Sequence, residues 1–332
     1  LRANALRTVS DSQVGRFMKS NVASLRNSVV VAIMLVAPVS ASAEDAVRGA
    51  PNAERAFGYL VDICSIGPRP SGSAGMERQQ KLISDHFEKF EAEVRFQSFD
   101  AVHPLTGRPV RMNNIVVSWH PKSRERVLLA CHYDTRPYPD RDRDNPQRVV
   151  LGANDGASGV ALFMELAHHM ADLEPTYGVD FVLFDGEELI YGNQGKYFLG
   201  SEHFATDYLR NPPEYSYHFG VVVDMIGDRR LNIFKERNSV KFAPKLTDSI
   251  WQTARALGVT EFNPRLKHEI QDDHLPLNRI AGIPTCDIID FDYPQWHTTG
   301  DRPDRCSGES LATVGRVLLA WLENVPEPGD GR

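Results

Sequence analysis

The chain has 332 residues, 42% hydrophobic and 24% charged, with a formal net charge of −7. That length supports a substantial core, in one large domain or two small ones. The mild acidity and the lack of a Lys/Arg stripe exclude a surface that recruits nucleic-acid phosphates.

Lys19 and Arg26 precede an apolar run over 29–39, broken by Pro38, and Ala41-Ser42-Ala43 follows before Glu44-Asp45. A basic start, a short apolar stretch and a small-x-small exit predict a secretory signal peptide within residues 1–43, with Met18 as its start and one domain over 44–332. The run is too short to span a bilayer comfortably. The expectation is therefore a secreted or periplasmic protein without stable membrane insertion, monomeric by default. Cys64, Cys131, Cys286 and Cys306 lie far apart with no C-x-x-C, which argues against a cysteine-rich metal site.

Phe57, Leu60, Val61 and Cys64 recur at helical spacing, as do Leu82, Ile83, Phe87 and Phe90. Between these helices, Gly67-Pro68-Arg69-Pro70-Ser71-Gly72 demands a turn. Strands are predicted over 93–99, 114–119 and 127–132. A long loop follows, with Pro137, Pro139, Pro146 and the alternating run Asp140-Arg141-Asp142-Arg143-Asp144, which reads as solvated surface. A helix is predicted over 158–171 and amphipathic helices over 244–257 and 309–322. Largely apolar runs at 179–184, 219–225 and 285–289 predict strands buried on both faces. The alternation predicts an α/β fold, a three-layer sandwich whose mixed, mostly parallel twisted sheet is flanked by helices on both faces.

Ligand sites in such sheets lie at the carboxyl ends of the strands. His132, Asp155, Glu188, Asp224 and His297 fall at those ends or in adjoining loops, and imidazole with carboxylate suits zinc. Alone, a strand-end Asp is more often a helix cap and a lone His a surface or core residue. Context carries the weight. Asp155 sits in the small-residue loop Gly152-Ala153-Asn154-Asp155-Gly156-Ala157-Ser158-Gly159, which opens a helix. Glu187 and Glu188 are adjacent acids after a buried strand, where one unpartnered acid is already costly. Two such neighbours suggest one residue binding metal and the other moving protons. No G-x-S-x-G elbow is present, and the glycine-rich loop lacks both the P-loop Lys and the Rossmann spacing. His168 and His169, on a predicted helix, read as structural. Asp134 reads as orienting His132.

In this order, His132-Tyr133-Asp134, Gly152-Ala153-Asn154-Asp155, Asp185-Gly186-Glu187-Glu188, Asp224 and Trp296-His297-Thr298 resemble the zinc aminopeptidase superfamily, which also contains the animal-type glutaminyl cyclases. The resemblance runs from Gly67-Pro68-Arg69 to the last helix. Gln271-Asp272-Asp273-His274-Leu275-Pro276, Pro294-Gln295-Trp296-His297-Thr298 and Gly200-Ser201-x-His203 look like the cyclase versions of their segments. The cyclase branch implies one Zn²⁺ held by Asp155, Glu188 and His297, with Glu187 as general acid/base. It also implies that Asp224 and Asp272 support the reaction, hydrogen-bonded to each other and sharing a proton. Gln271, Trp296 and Tyr293 would line a pocket for the N-terminal Gln of a peptide or protein, released as pyroglutamate and ammonia. The alternative branch is a two-zinc aminopeptidase, in which His132 and Asp224 hold the second metal and Asp155 bridges. A peptide-binding relative without catalysis is a third class, but no ligand position is missing.

The chain also departs from the cyclase pattern. Of the aromatic that follows the Glu-Glu pair in animal cyclases, only Tyr191 is available, and Tyr293 stands where Phe is usual. The usual disulfide partner of Cys131 is replaced by Val160, so that bond is expected to be absent.

Overall fold

The computed structural model describes residues 49–326, and the predicted signal segment lies outside them. The first helices form where the sequence supplies both an apolar stripe and a cap. Asn52 caps α1 (Ala53–Ser65) by accepting from the Arg55 N–H at 2.8 Å, and Ser73 caps α2 (Ala74–Phe87) by accepting from the Met76 N–H at 3.1 Å. Strands β1 (Glu93–Val102) and β2 (Pro109–Trp119) form a hairpin paired from Glu93↔Ser118 to Val102↔Pro109, longer than the apolar pattern predicts. Then come β3 (Glu125–His132), α3 (Ala157–Leu166), β4 (Gly178–Phe184), α4 (Leu199–Arg210), β5 (Ser216–Asp224), α5 (Pro244–Ala256), β6 (Thr285–Ile289) and α6 (Gly308–Glu323).

The six strands make one sheet in the order β1-β2-β4-β3-β5-β6. β4, β3, β5 and β6 are parallel, while β2 runs antiparallel to both β1 and β4. Successive side chains point to opposite faces. Ile115, Val117, Leu129, Phe181, Leu183, Val221, Val223 and Ile288 pack on α1, α2, α3, α5 and α6. Val116, Leu128, Ala130, Val182, Phe184 and Val222 pack on α4 and on Leu277 and Ile283 of the other face. This is the expected three-layer α/β sandwich. Every residue of β4 is buried, which is why its sequence shows no apolar/polar alternation, with Asp180 as its one charge, paired to Arg126.

The fold departs from the sequence reading at three elements, and at α3 the cause is local. α3 stops at Leu166 rather than 171, because the His168 and His169 N–H groups turn back to Glu165 and Leu166 in i→i−3 bonds. His168 Nε2 then pairs with the Tyr59 hydroxyl at 2.7 Å, and His169 Nε2 lies 3.3 Å from buried Glu165. α4 and the small parallel pair Ile233–Lys235 with Phe262–Leu266 were not anticipated. All four cysteines are buried free thiols, Cys131 among them. No helix of the described residues is long and apolar enough to cross a membrane.

Candidate active site

The parallel strands deliver acids and imidazoles to one end of the sheet. His132 closes β3, Asp224 closes β5, Asp185 to Glu188 follow β4, and His297 lies in the loop after β6. Asp155, Glu188 and His297 bring one ligand atom each within 4.8 Å of one another, and so do His132, Asp155 and Asp224. His297 Nε2 lies 3.0 Å from Glu188 Oε1 and 3.8 Å from Asp155 Oδ2. His132 Nε2 lies 3.2 Å from both Asp155 Oδ1 and Asp224 Oδ1. Asp155 thus touches both groups.

This donor set fits a divalent cation. Asp155 Oδ2 and Glu188 Oε2 are buried without a hydrogen-bond partner, a costly arrangement unless a positive charge is supplied. The imidazoles show the same demand. Burial opposes charge on His297, but hydrogen bonds to Asp140 and Glu188 outweigh it and lift its pKa to about 9. His132 is also held well above its usual range, since bonds to Asp134, Asp155 and Asp224 overcome its burial. His297 Nδ1 lies 2.9 Å from Asp140 Oδ1, which leaves Nε2 to face the acids, the arrangement of a metal-ligating histidine.

Several groups hold these ligands in place. Asp134, 3.5 Å from His132 Nδ1, accepts from the Glu187 N–H at 3.1 Å and the Glu188 N–H at 3.0 Å, so it orients the acid pair as well as the imidazole. Gly156 has φ 97°, and a Cβ there would drive into the Asp134 carbonyl oxygen. The Asn154 and Asp155 amides donate to Asp301, and so does the Tyr293 hydroxyl at 2.8 Å. Tyr293 is buried beneath the Asp155 loop and does not line the cleft, contrary to its predicted contact with substrate. The aromatic contact between its ring and the site is replaced by a hydrogen bond that reaches the loop from below.

Above the ligands opens a cleft of about 320 Å³. Glu187, Asp224, Gln271, Asp272 and Trp296 line it, together with Asp155, Glu188 and His297, whereas buried His132 stays behind the rim. Loss of hydration lifts the Glu187 carboxyl well above the usual range, opposed by His132 and reinforced by Glu188. Asp272 is lifted by burial and then by Asp224 and Asp273. The expected hydrogen bond between Asp224 and Asp272 is not formed. Asp272 Oδ1 accepts from the Asp273 N–H at 2.6 Å, and its Oδ2 is buried without a partner. Behind Asp272 lie His274 and Asp287, both fully buried, which the sequence reading did not single out.

The loop read as solvated surface reaches the cleft. Asp140 and Arg141 line it, and buried Arg136 ties Asp140 (2.6 Å), Tyr197 (3.0 Å) and Glu188 (3.4 Å) together. The only cue was an Arg four residues before an Asp, too common to notice. Tyr191 packs on Tyr138 and His103 away from the cleft, and Tyr197 and Phe198 supply the aromatic wall instead. Trp296 also lines the cleft, its ring tilted against those of Phe291 (4.7 Å between centroids) and His297 (4.1 Å). Phe198, Met225 and His297, all at the cleft, have φ of 62°, 48° and 58°, a left-handed conformation that costs a non-glycine residue about 1–3 kcal/mol.

With this geometry in hand, residues 114–322 match the family described as Peptidase family M28. A crystal structure of Fimbriiglobus ruber glutaminyl cyclase superposes with TM-score 0.79 at 40% identity, covering 82% of this chain and 95% of that one. A leucine aminopeptidase precursor from Bacteroides thetaiotaomicron gives TM-score 0.76 at 32% identity, with 83% and 98% covered. A glutaminyl-peptide cyclotransferase from Bos taurus is 25% identical over 290 residues, covering 76% of this chain and 77% of its own. The fold, the ordered motifs and these relatives make the chain a member of peptidase family M28, in the zinc aminopeptidase-like superfamily that also holds the glutaminyl cyclases.

Proposed function

We propose that this enzyme is a glutaminyl-peptide cyclotransferase, closing the N-terminal glutamine of peptides to pyroglutamate with loss of ammonia. The observation that carries this reading is the lining of the cleft, which Gln271 and Asp272 share with the Trp296 indole packed on His297. A glutamine side chain is small and flat, and an aromatic-walled slot with a few polar groups suits it.

Asp155, Glu188 and His297 would hold one Zn²⁺, whose chemistry is that of a Lewis acid polarising the side-chain amide carbonyl. Glu187 takes a proton from the substrate α-amine, which becomes the nucleophile. As the bond from that nitrogen to the amide carbon forms and the carbon–nitrogen bond to the leaving NH₂ breaks, Glu187 returns the proton and ammonia departs. Burial raises its proton affinity, which favours its taking up the proton of the amine. Asp272 and Asp224 face the same space, and their mutual repulsion favours keeping one of them protonated. Trp296, Tyr197 and Phe198 exclude water, which would otherwise compete with the amine.

A second reading rests on one observation. His132, Asp155 and Asp224 form a second three-donor group beside the first. Filled with metal, that group is the ligand set of a two-zinc aminopeptidase, which hydrolyses the first peptide bond. The zinc-loaded protein should be assayed on an N-terminal Gln peptide, for ammonia and the matching mass loss, and on a Leu-anilide, for free Leu. Ammonia without Leu release is the expected result. Leu release without cyclisation overturns the cyclase reading and assigns His132 and Asp224 to a second zinc.

A further inference from the structure

The cleft has a marked imbalance of charge. Seven carboxylates line it against a single guanidinium, that of Arg141. Acids at the base of the cleft suit an incoming substrate amine, but they repel any carboxylate further along the same peptide.

Arg141 is built into the rim rather than hanging from it. Its backbone N–H donates to the His297 carbonyl at 3.2 Å. The residue before it holds His297 Nδ1 through Asp140, and the residue after it, Asp142, accepts from the Thr299 N–H at 3.1 Å and from the Thr299 hydroxyl. Three successive residues are thereby strapped to the loop that carries His297. The guanidinium carbon of Arg141 lies 3.8 Å from the centroid of the Trp296 ring. Packing at that distance occupies the flat face of the group, so its N–H edge remains available to a partner. Among the described residues, no carboxylate pairs with that edge, although acids are abundant nearby.

We infer that Arg141 is a specificity-determining residue that receives a carboxylate of the substrate downstream of the reacting N-terminal glutamine. The inference rests on the cyclase reading given above. Two sources supply that chemistry, an acidic side chain at the second position or the free C-terminus of a very short peptide. The stacked guanidinium accepts either as a fork-to-fork pair. The pair lies at an exposed rim, so its contribution is modest and salt-sensitive.

Steady-state kinetics on the zinc-loaded enzyme with four peptides test this: Gln-Ala with a free C-terminus, Gln-Ala-amide, Gln-Glu-amide and Gln-Gln-amide. The two carboxylate-bearing peptides are expected to show KM lower by roughly two- to fivefold than their neutral partners at equal kcat, an advantage that shrinks as ionic strength rises. In R141Q the ratio should collapse to about one, in R141E it should invert, and R141K should keep only part of it, because lysine lacks the planar fork. A preference confined to Gln-Glu-amide assigns the carboxylate to the side chain, and one confined to free Gln-Ala assigns it to the C-terminus. Equal KM for charged and neutral peptides, or a preference that survives R141Q, overturns the inference while leaving the cyclase reading intact. No turnover of any of the four overturns both.

Discussion

Two buried charged clusters sit at opposite ends of the same parallel strands. At the foot, Arg126 near the start of β3 meets Asp180 near the start of β4 in a two-pronged pair, Nε–Oδ2 at 2.9 Å and Nη2–Oδ1 at 2.6 Å. The remaining Arg126 donors reach the carbonyls of Trp119, His120 and Val179 at 2.9 to 3.1 Å, and Tyr217 donates to Asp180. At the mouth, Asp155, Glu188 and Asp272 are just as deeply buried, yet each keeps an oxygen without a partner. Burial does not distinguish the two clusters, but satisfaction does. The foot contains its own counter-charge and fixes the strands. The mouth leaves buried carboxylate oxygens unpartnered, the opening that the proposed cation and substrate would fill. Left-handed backbone is concentrated at the mouth, with Phe198, Met225 and His297 at the cleft, but the foot also carries one such residue, His120.

The sharpest way to break this comparison is at Glu187. E187Q should lower kcat by about 10²–10⁴-fold, the usual worth of a positioned acid/base, while leaving zinc content and thermal stability unchanged. Near-native turnover in that variant would remove Glu187 from the chemistry. The opposite pattern is expected at the foot. R126A leaves Asp180 charged and unpaired and should cost about 3–5 kcal/mol in urea unfolding, with the folded fraction turning over as wild type. A stable R126A would mean that the foot is dispensable.

A smaller effect tests the corrected role of Tyr293. Y293F withdraws a donor from buried Asp301 and should cost about 2 kcal/mol of stability without changing KM. A raised KM at full stability would return Tyr293 to the substrate.

The smallest effect is a pH dependence that only the mouth should show. Burial and neighbouring acids lift Asp185, Asp273 and Asp301 to about 7. These carboxyls bind protons in the folded state that the unfolded chain, with pKa values near 4, does not yet bind. Their contribution is therefore full at low pH and is lost as pH rises through 7. The chelator-treated protein should gain about 1 kcal/mol or more between pH 8 and pH 6.5, read from urea midpoints. At lower pH, His86 and His274, held down to about 4 and about 3 chiefly by burial, begin to reverse the gain, because unfolding lets them take protons. Flat midpoints between pH 8 and pH 6.5 would show that the mouth carries no such strained acids.

The layered sheet was legible because β4 and β6 are mostly apolar, each broken by one buried Asp, and because the helical spacing of Phe57, Leu60, Val61 and Cys64 acts within a few residues. The candidate donors were legible because His132, Asp155, Glu188 and Asp224 sit where strands end or a glycine loop opens a helix. Residues that act across the fold were not. Arg136, Asp140 and Arg141 belong to a charged loop whose composition resembles any solvated surface, and their link to the cleft depends on the return of the His297 loop more than 150 residues later. Tyr293 was misplaced for a related reason. Its neighbours in sequence line the cleft, but its own side chain turns inward to Asp301.

The four shut thiols have a practical consequence. Cys64 lies in α1, Cys131 in β3, Cys286 in β6 and Cys306 just before α6, all in the layer that packs α1, α3, α5 and α6 on the sheet. No covalent cross-link joins these elements, so the chain needs no oxidant to reach its native form. An alkylating reagent meets no thiol until that layer opens. The rate of labelling at each cysteine would therefore report, position by position, whether the layer comes apart in one step or peels away helix by helix.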